Sequence, residues 1–73
     1  MNEYKYKPDE YDISLGESLR NFYDACKNGN SLIAQLRWNN VYYNTKAAFK
    51  DGLISADERD DIREYCRELM KDG

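Results

Sequence analysis

The chain contains no histidine, a single proline and four glycines among 73 residues. Without an imidazole there is no ordinary neutral-pH acid–base catalyst and no Cys/His zinc site. No apolar run approaches the roughly eighteen residues that a membrane-spanning helix needs. The opening residues Met1-Asn2-Glu3-Tyr4-Lys5 are polar, so no signal peptide is expected and a cytoplasmic location is. There is no phosphate-binding loop, no dinucleotide fingerprint and no nucleophile set beside a base. The expectation is a non-enzymatic protein with no cofactor and no metal.

Cysteine is scarce too. Cys26 and Cys66 are the only two. One disulfide between them is geometrically open. In a reducing compartment the simpler expectation is two buried thiols that pack as small apolar groups. The length allows one domain, near the lower size at which a chain folds alone. A partner, a homodimer or an efficient aromatic core would supplement so small an interior.

Aromatic residues are plentiful: seven Tyr, two Phe and one Trp. Charge is plentiful and segregated. Residues 1–13 carry Glu3, Asp9, Glu10 and Asp12 against Lys5 and Lys7, a net of −2. Residues 14–50 carry Arg20, Lys27, Arg37, Lys46 and Lys50 against Glu17 and Asp24, a net of +3. Residues 51–73 hold eight carboxylates against Arg59, Arg63, Arg67 and Lys71, a net of −4. An acidic total disfavours nonspecific nucleic-acid binding, which depends on neutralising phosphates. It suits a partner with a basic surface.

The periodicity predicts an all-α domain of three helices over residues 14–73, the long second one central, preceded by an extended N-terminal arm over residues 1–13. In the arm, Tyr4, Tyr6 and Tyr11 alternate with charges, and Pro8 interrupts. The first helix is expected from Leu15 to about Asn28, with Ser14 as N-cap and Glu17 completing a capping box. Its apolar stripe is Leu15, Leu19, Phe22, Tyr23 and Cys26. Asn28-Gly29 offers a glycine for the left-handed C-terminal cap. The second helix is expected from Asn30 or Ser31 to Asp51, with two apolar stripes. One is Leu32, Leu36, Tyr43 and Ala47; the wider is Ala34, Trp38, Val41, Tyr42, Ala48 and Phe49. Two stripes imply two neighbours, with Trp38 and Phe49 in the core. If the neighbours cover only the wider stripe, the narrower one is left as a partner or dimer surface. The third helix follows a second capping box, Ser55 with Glu58, and carries the stripe Ile62, Tyr65, Cys66, Leu69 and Met70. Asp60–Arg63, Glu64–Arg67 and Glu68–Lys71 are spaced to pair across its outer face.

Aligned on Gly52, the stretch from Asp51 to Glu58 matches the second half of an EF-hand calcium loop. Asp51, Ser55 and Glu58 fall where oxygen ligands belong. The first half fails, because Ala47 and Phe49 occupy ligand positions and offer no side-chain oxygen. Ser55 and Glu58 are better spent as a helix cap. The segment from Lys50 to Met70 also resembles a generic bacterial helical hairpin, in which one helix ends at Gly-Leu-Ile-Ser and the next starts with an acidic turn. That resemblance implies no specific activity.

Two surfaces are candidates for function. Asp57, Asp60, Asp61, Glu64 and Glu68 form an acidic face on the third helix, which a solvated surface also explains. In size and charge the chain resembles the small acidic inhibitors carried by phages and mobile elements, some of which block CRISPR nucleases. That resemblance implies an inhibitor or adaptor that engages a basic, nucleic-acid-handling protein. The alternative is a small DNA- or RNA-binding module that uses Arg37, Asn40, Tyr43 and Asn44 of the second helix, since Arg and Asn read base edges and aromatics stack on bases.

Overall fold

Among the described residues three helices form where capping residues allow them to start, and glycines end the first two. The computed structural model describes residues 4–72; Met1, Asn2 and Glu3 of the expected arm, and Gly73, lie outside them. Helix α1 spans Ile13–Lys27, α2 spans Ser31–Lys50 and α3 spans Ala56–Asp72. The fold is all-α, as the periodicity predicts, and α2 packs on both α1 and α3.

Helix α1 begins earlier than expected, at Ile13, and its N-cap is Asp12 rather than Ser14. The Asp12 carboxylate accepts from the Leu15 amide at 3.3 Å, so Ser14 and Glu17 fall inside the helix instead of forming its entry. Helix α2 is capped by Asn30, whose side chain accepts from the Ile33 amide at 3.1 Å. Helix α3 is capped by Ser55, whose hydroxyl accepts from the Glu58 amide at 3.1 Å. Glu58 does not complete the reciprocal box: its carboxylate accepts from the Tyr11 hydroxyl at 2.9 Å instead.

Both interhelical turns end in the same way. Gly29 and Gly52 have φ of 71° and 78°, a region that side chains disfavour. The Asn30 amide reaches back to Ala25 O and the Leu53 amide to Ala48 O. Each is the long bond of a Schellman cap, which satisfies a helix-end carbonyl.

The core is built from Leu15, Leu19 and Phe22 of α1, Val41 and Ala48 of α2, and Ile62 and Cys66 of α3, with Ile54 from the turn. Among the described residues every buried side-chain nitrogen and oxygen has a hydrogen-bond partner. Thr45, fully buried on α2, shares its hydroxyl hydrogen between Val41 O and Tyr42 O, each 2.8 Å away.

The arm is laid across the helices and fills the gap between α1 and α3. It carries a short 3-10 turn at Pro8–Glu10. Tyr4 stacks flat on Tyr23 of α1, with ring centroids 3.8 Å apart. The Tyr23 hydroxyl donates to Tyr6 O at 2.6 Å. On the other side the Lys5 amide donates to the Tyr65 hydroxyl of α3 at 2.9 Å. The Tyr6 hydroxyl donates to Asp61, and the buried Tyr6 ring meets Tyr65 edge-on. Gly16 lets this strap lie close: a Cβ there would sit 2.5 Å from Pro8 O. Tyrosines that alternate with charge in the sequence thus serve as core.

Candidate protein-binding faces

The α2–α3 seam decides which charges remain free for a partner. Arg59, Arg63 and Arg67 recur every four residues on α3 and lie over Phe49, Tyr42 and Trp38 of the antiparallel α2. Their guanidinium carbons sit 4.6, 3.9 and 5.3 Å from the respective ring centroids. Such stacking draws on the negative face of each ring. Arg63 is the most committed of the three. Its Nε donates to Thr45 Oγ1 at 3.1 Å and its Nη2 to Tyr42 O at 3.2 Å. The Trp38 indole N–H closes the seam by donating to Arg63 O at 3.1 Å.

This ladder corrects one expected pair. Arg63 does not reach Asp60, because it is turned toward Tyr42; Asp60 pairs with Arg59 at 2.9 Å instead. The other two expected pairs form, loosely: Arg67 to Glu64 at 3.7 Å and Lys71 to Glu68 at 3.6 Å. Trp38 is half-buried as expected of core, whereas Phe49 is 38 % exposed and is covered by Arg59.

The acidic residues do share one outer stripe of α3, and all five are exposed. Most already have a cation or donor of their own. Asp61 takes Lys5 Nζ at 2.7 Å together with the Tyr6 hydroxyl. Those hydrogen bonds, Lys5 first, hold its carboxyl below the usual carboxylate range, and the Arg59 bond does the same for Asp60. Desolvation, followed by the bond to a carboxylate, pushes the Tyr6 and Tyr11 hydroxyls well above their ordinary value. Asp61 is therefore an anchor for the arm as well as a surface charge.

The residues of the nucleic-acid alternative are divided between two places. Asn40 and Asn44 line a shallow polar groove against α1 with Ser14, Glu17, Ser18 and Asn21. Glu17 sets a carboxylate in that groove, which opposes a phosphate. Tyr43 lies on the outward row of α2, and Arg37 is exposed.

That outward row leaves aligned apolar side chains in water. Leu32, Leu36 and Tyr43 are 72 %, 53 % and 66 % exposed, and Ala47 is exposed beside them. The two-stripe pattern of α2 suggested one stripe for each neighbour. Both α1 and α3 instead pack on the wider stripe and its borders, and the narrower stripe meets solvent.

The calcium-like half-loop is otherwise employed. Ser55 caps α3, Glu58 is held by Tyr11, and Gly52 ends α2. Among the described residues no three His, Cys, Asp or Glu side chains converge into a set that could hold a metal ion. Cys26 and Cys66 are free thiols. Cys66 is fully buried, and desolvation pushes it up to about 12; burial raises Cys26 as well. Neither has the depressed pKa of a reactive thiol.

Comparison with protein-family models, curated proteins and solved structures returns no match. No helix among the described residues is long and apolar enough to cross a membrane.

Sequence reasoning did not find the arginine ladder. The signal for it was present: arginines at every fourth position of one helix, and Trp38, Tyr42 and Phe49 on one face of the helix before it. Reading the arginines only against neighbouring carboxylates concealed it.

Proposed function

We propose that this chain is a non-enzymatic protein-binding module, an adaptor or inhibitor, whose docking face is the outer row of α2. The observation that carries this reading is the exposure of Leu32, Leu36 and Tyr43 on one line of the longest helix. Isolated apolar residues on a surface need no explanation, but aligned ones mark a place where another chain sits. Leucine side chains gain nothing from phosphates, so this row favours protein over nucleic acid. The test is site-specific photo-crosslinking in the source cell, with the reactive group placed at Leu36 or at Glu68. Adducts dominated by one protein from position 36, lost in Leu32→Asp, support the reading. Adducts from position 68 alone, or none from either, defeat it.

A second reading keeps the acidic stripe as the contact for a basic, nucleic-acid-handling partner. What favours it is the direction of the arginines: they fold inward over the α2 rings, while Asp57, Asp60, Asp61, Glu64 and Glu68 stay outside. Asp60→Lys with Glu64→Lys should then abolish salt-sensitive binding to the crosslinked protein and leave helicity intact. Unchanged binding would remove the stripe from consideration.

A further inference from the structure

The outer row of α2 is longer than its three apolar residues. Leu32, Leu36, Asn39, Tyr43, Lys46 and Lys50 follow one another at steps of four, three, four, three and four, and all six are exposed. That is the spacing of a coiled-coil seam, which keeps a single line of side chains facing a partner helix. The seam has two chemical halves. Its first half carries Leu32 and Leu36 with one polar position, Asn39, and after Tyr43 its last turn and a half is basic. The whole helix holds no carboxylate to neutralise Lys46 and Lys50, and neither lysine forms an ion pair with a described residue.

A second copy of the chain does not fit this pattern. Two α2 helices laid parallel set Lys46 and Lys50 against their own images. Laid antiparallel, they set Leu32 and Leu36 against lysines. The acidic stripe of α3 from another copy would answer the lysines but offers carboxylates, not apolar side chains, to the leucines. We infer that the seam takes an amphipathic helix from a different protein, one whose contact line is apolar over one half and carries Asp or Glu over the other. This inference rests on the reading of α2 as the docking face and names the chemistry of what docks there. From Leu32 to Lys50 the seam runs about 27 Å at 1.5 Å per residue, so the occupant needs roughly five helical turns. Leucines opposite Leu32 and Leu36 and carboxylates opposite Lys46 and Lys50 give both affinity and register, as core and polar seam positions do in paired helices.

Two synthetic peptides of about five turns test this. Both carry leucines along one half of a heptad seam. The first has glutamates along the other half and the second has lysines. Each is made in both chain directions, since the order of the halves sets parallel or antiparallel docking. Binding to the full chain is measured by calorimetry and mapped by backbone amide shifts. The expected result is that one glutamate peptide binds and perturbs amides from Leu32 to Lys50. Its affinity should fall about tenfold or more in Leu36→Asp and also in Lys46→Glu with Lys50→Glu. Circular dichroism of each variant confirms that it remains folded, which solvent-exposed positions favour. Equal binding of the lysine peptide on the same amides would overturn the partner chemistry and leave the docking face standing. Binding of neither peptide would overturn both. A dimer in sedimentation that Leu36→Asp dissociates would show that a second copy covers the seam. Saturable binding of a short DNA or RNA duplex along the same amides would show a nucleic-acid face. Either of these last two results sinks the inference.

Discussion

Replacing Arg63 by alanine should cost about 3 kcal/mol of stability, more than replacing any other surface arginine. The guanidinium lies 3.9 Å over the Tyr42 ring, and a partly desolvated cation–aromatic contact is worth about 1 kcal/mol. It also makes two hydrogen bonds, to Thr45 Oγ1 and Tyr42 O, each worth about 1 kcal/mol for a charged donor at a half-buried site. Thr45 is fully buried, so its oxygen has no water at hand to replace the lost donor. A domain of this size has roughly 4–11 kcal/mol in all, and a loss of about 3 kcal/mol should lower Tm by roughly 12–24 °C. Arg63→Lys keeps a cation over the ring but not the planar fork, and should cost about half as much. Urea unfolding followed by circular dichroism reads these differences. A double-mutant cycle with Tyr42→Leu should return a coupling of about 1 kcal/mol. Arg67 is the control: it stands 5.3 Å from Trp38 with its side chain about half exposed, and Arg67→Ala should cost no more than about 0.5 kcal/mol. If the Arg63 and Arg67 variants unfold at the same urea concentration, the ladder is decoration and the seam is held by apolar contact alone.

Gly16→Ala should destabilise by about 1–2 kcal/mol, because overpacking against the Pro8 carbonyl outweighs the gain in helix propensity; tryptic cleavage after Lys5 should accelerate in step. Ser55→Ala should cost about 1 kcal/mol through loss of the α3 cap, with no change in that cost when calcium is added. Stability should fall on both sides of neutrality. Asp61 has a lowered folded-state pKa, so its contribution is present above the usual carboxylate range and is lost as pH drops through the folded value. Tyr6, Tyr11 and Tyr23 are raised above 10.0 and Cys66 above 9.0. Their contribution is whole below those ordinary values and is lost as pH climbs through the raised ones. Thermal melts across pH check this: Asp61→Asn should flatten the acid limb and Tyr6→Phe the alkaline one.

The helices were legible because their punctuation is local. Ser55, Gly29 and Gly52 act within three or four residues of where they stand, and each appears in the structure in the expected role; Asn30, expected only near the start of the second helix, is its N-cap. Ser14 misled because two cap candidates, Asp12 and Ser14, precede the same apolar stripe. The structure uses Asp12, whose carboxylate receives the Leu15 amide. The arm was the least legible part. Tyr4 and Tyr6 look like solvent-facing alternation until Tyr23 and Tyr65 stand on either side of them. The outward stripe of α2 was visible in the spacing. Whether it would be covered depended on how far α1 and α3 reach around that helix, and that is a property of the whole packing.

The arm carries a consequence for how the chain is made. The Lys5 amide and the Tyr65 hydroxyl that receives it are separated by 60 residues of sequence. A ribosome adding about 5–20 residues per second produces the first of these groups roughly three to twelve seconds before the second. Once Tyr23 is made, Tyr4 and Tyr6 have its ring and hydroxyl to lean on but nothing from α3 to close over them. The arm, made before α3, thus cannot settle until α3 is complete. Until then a chaperone or protease meets a tyrosine-rich segment that α3 has not yet covered.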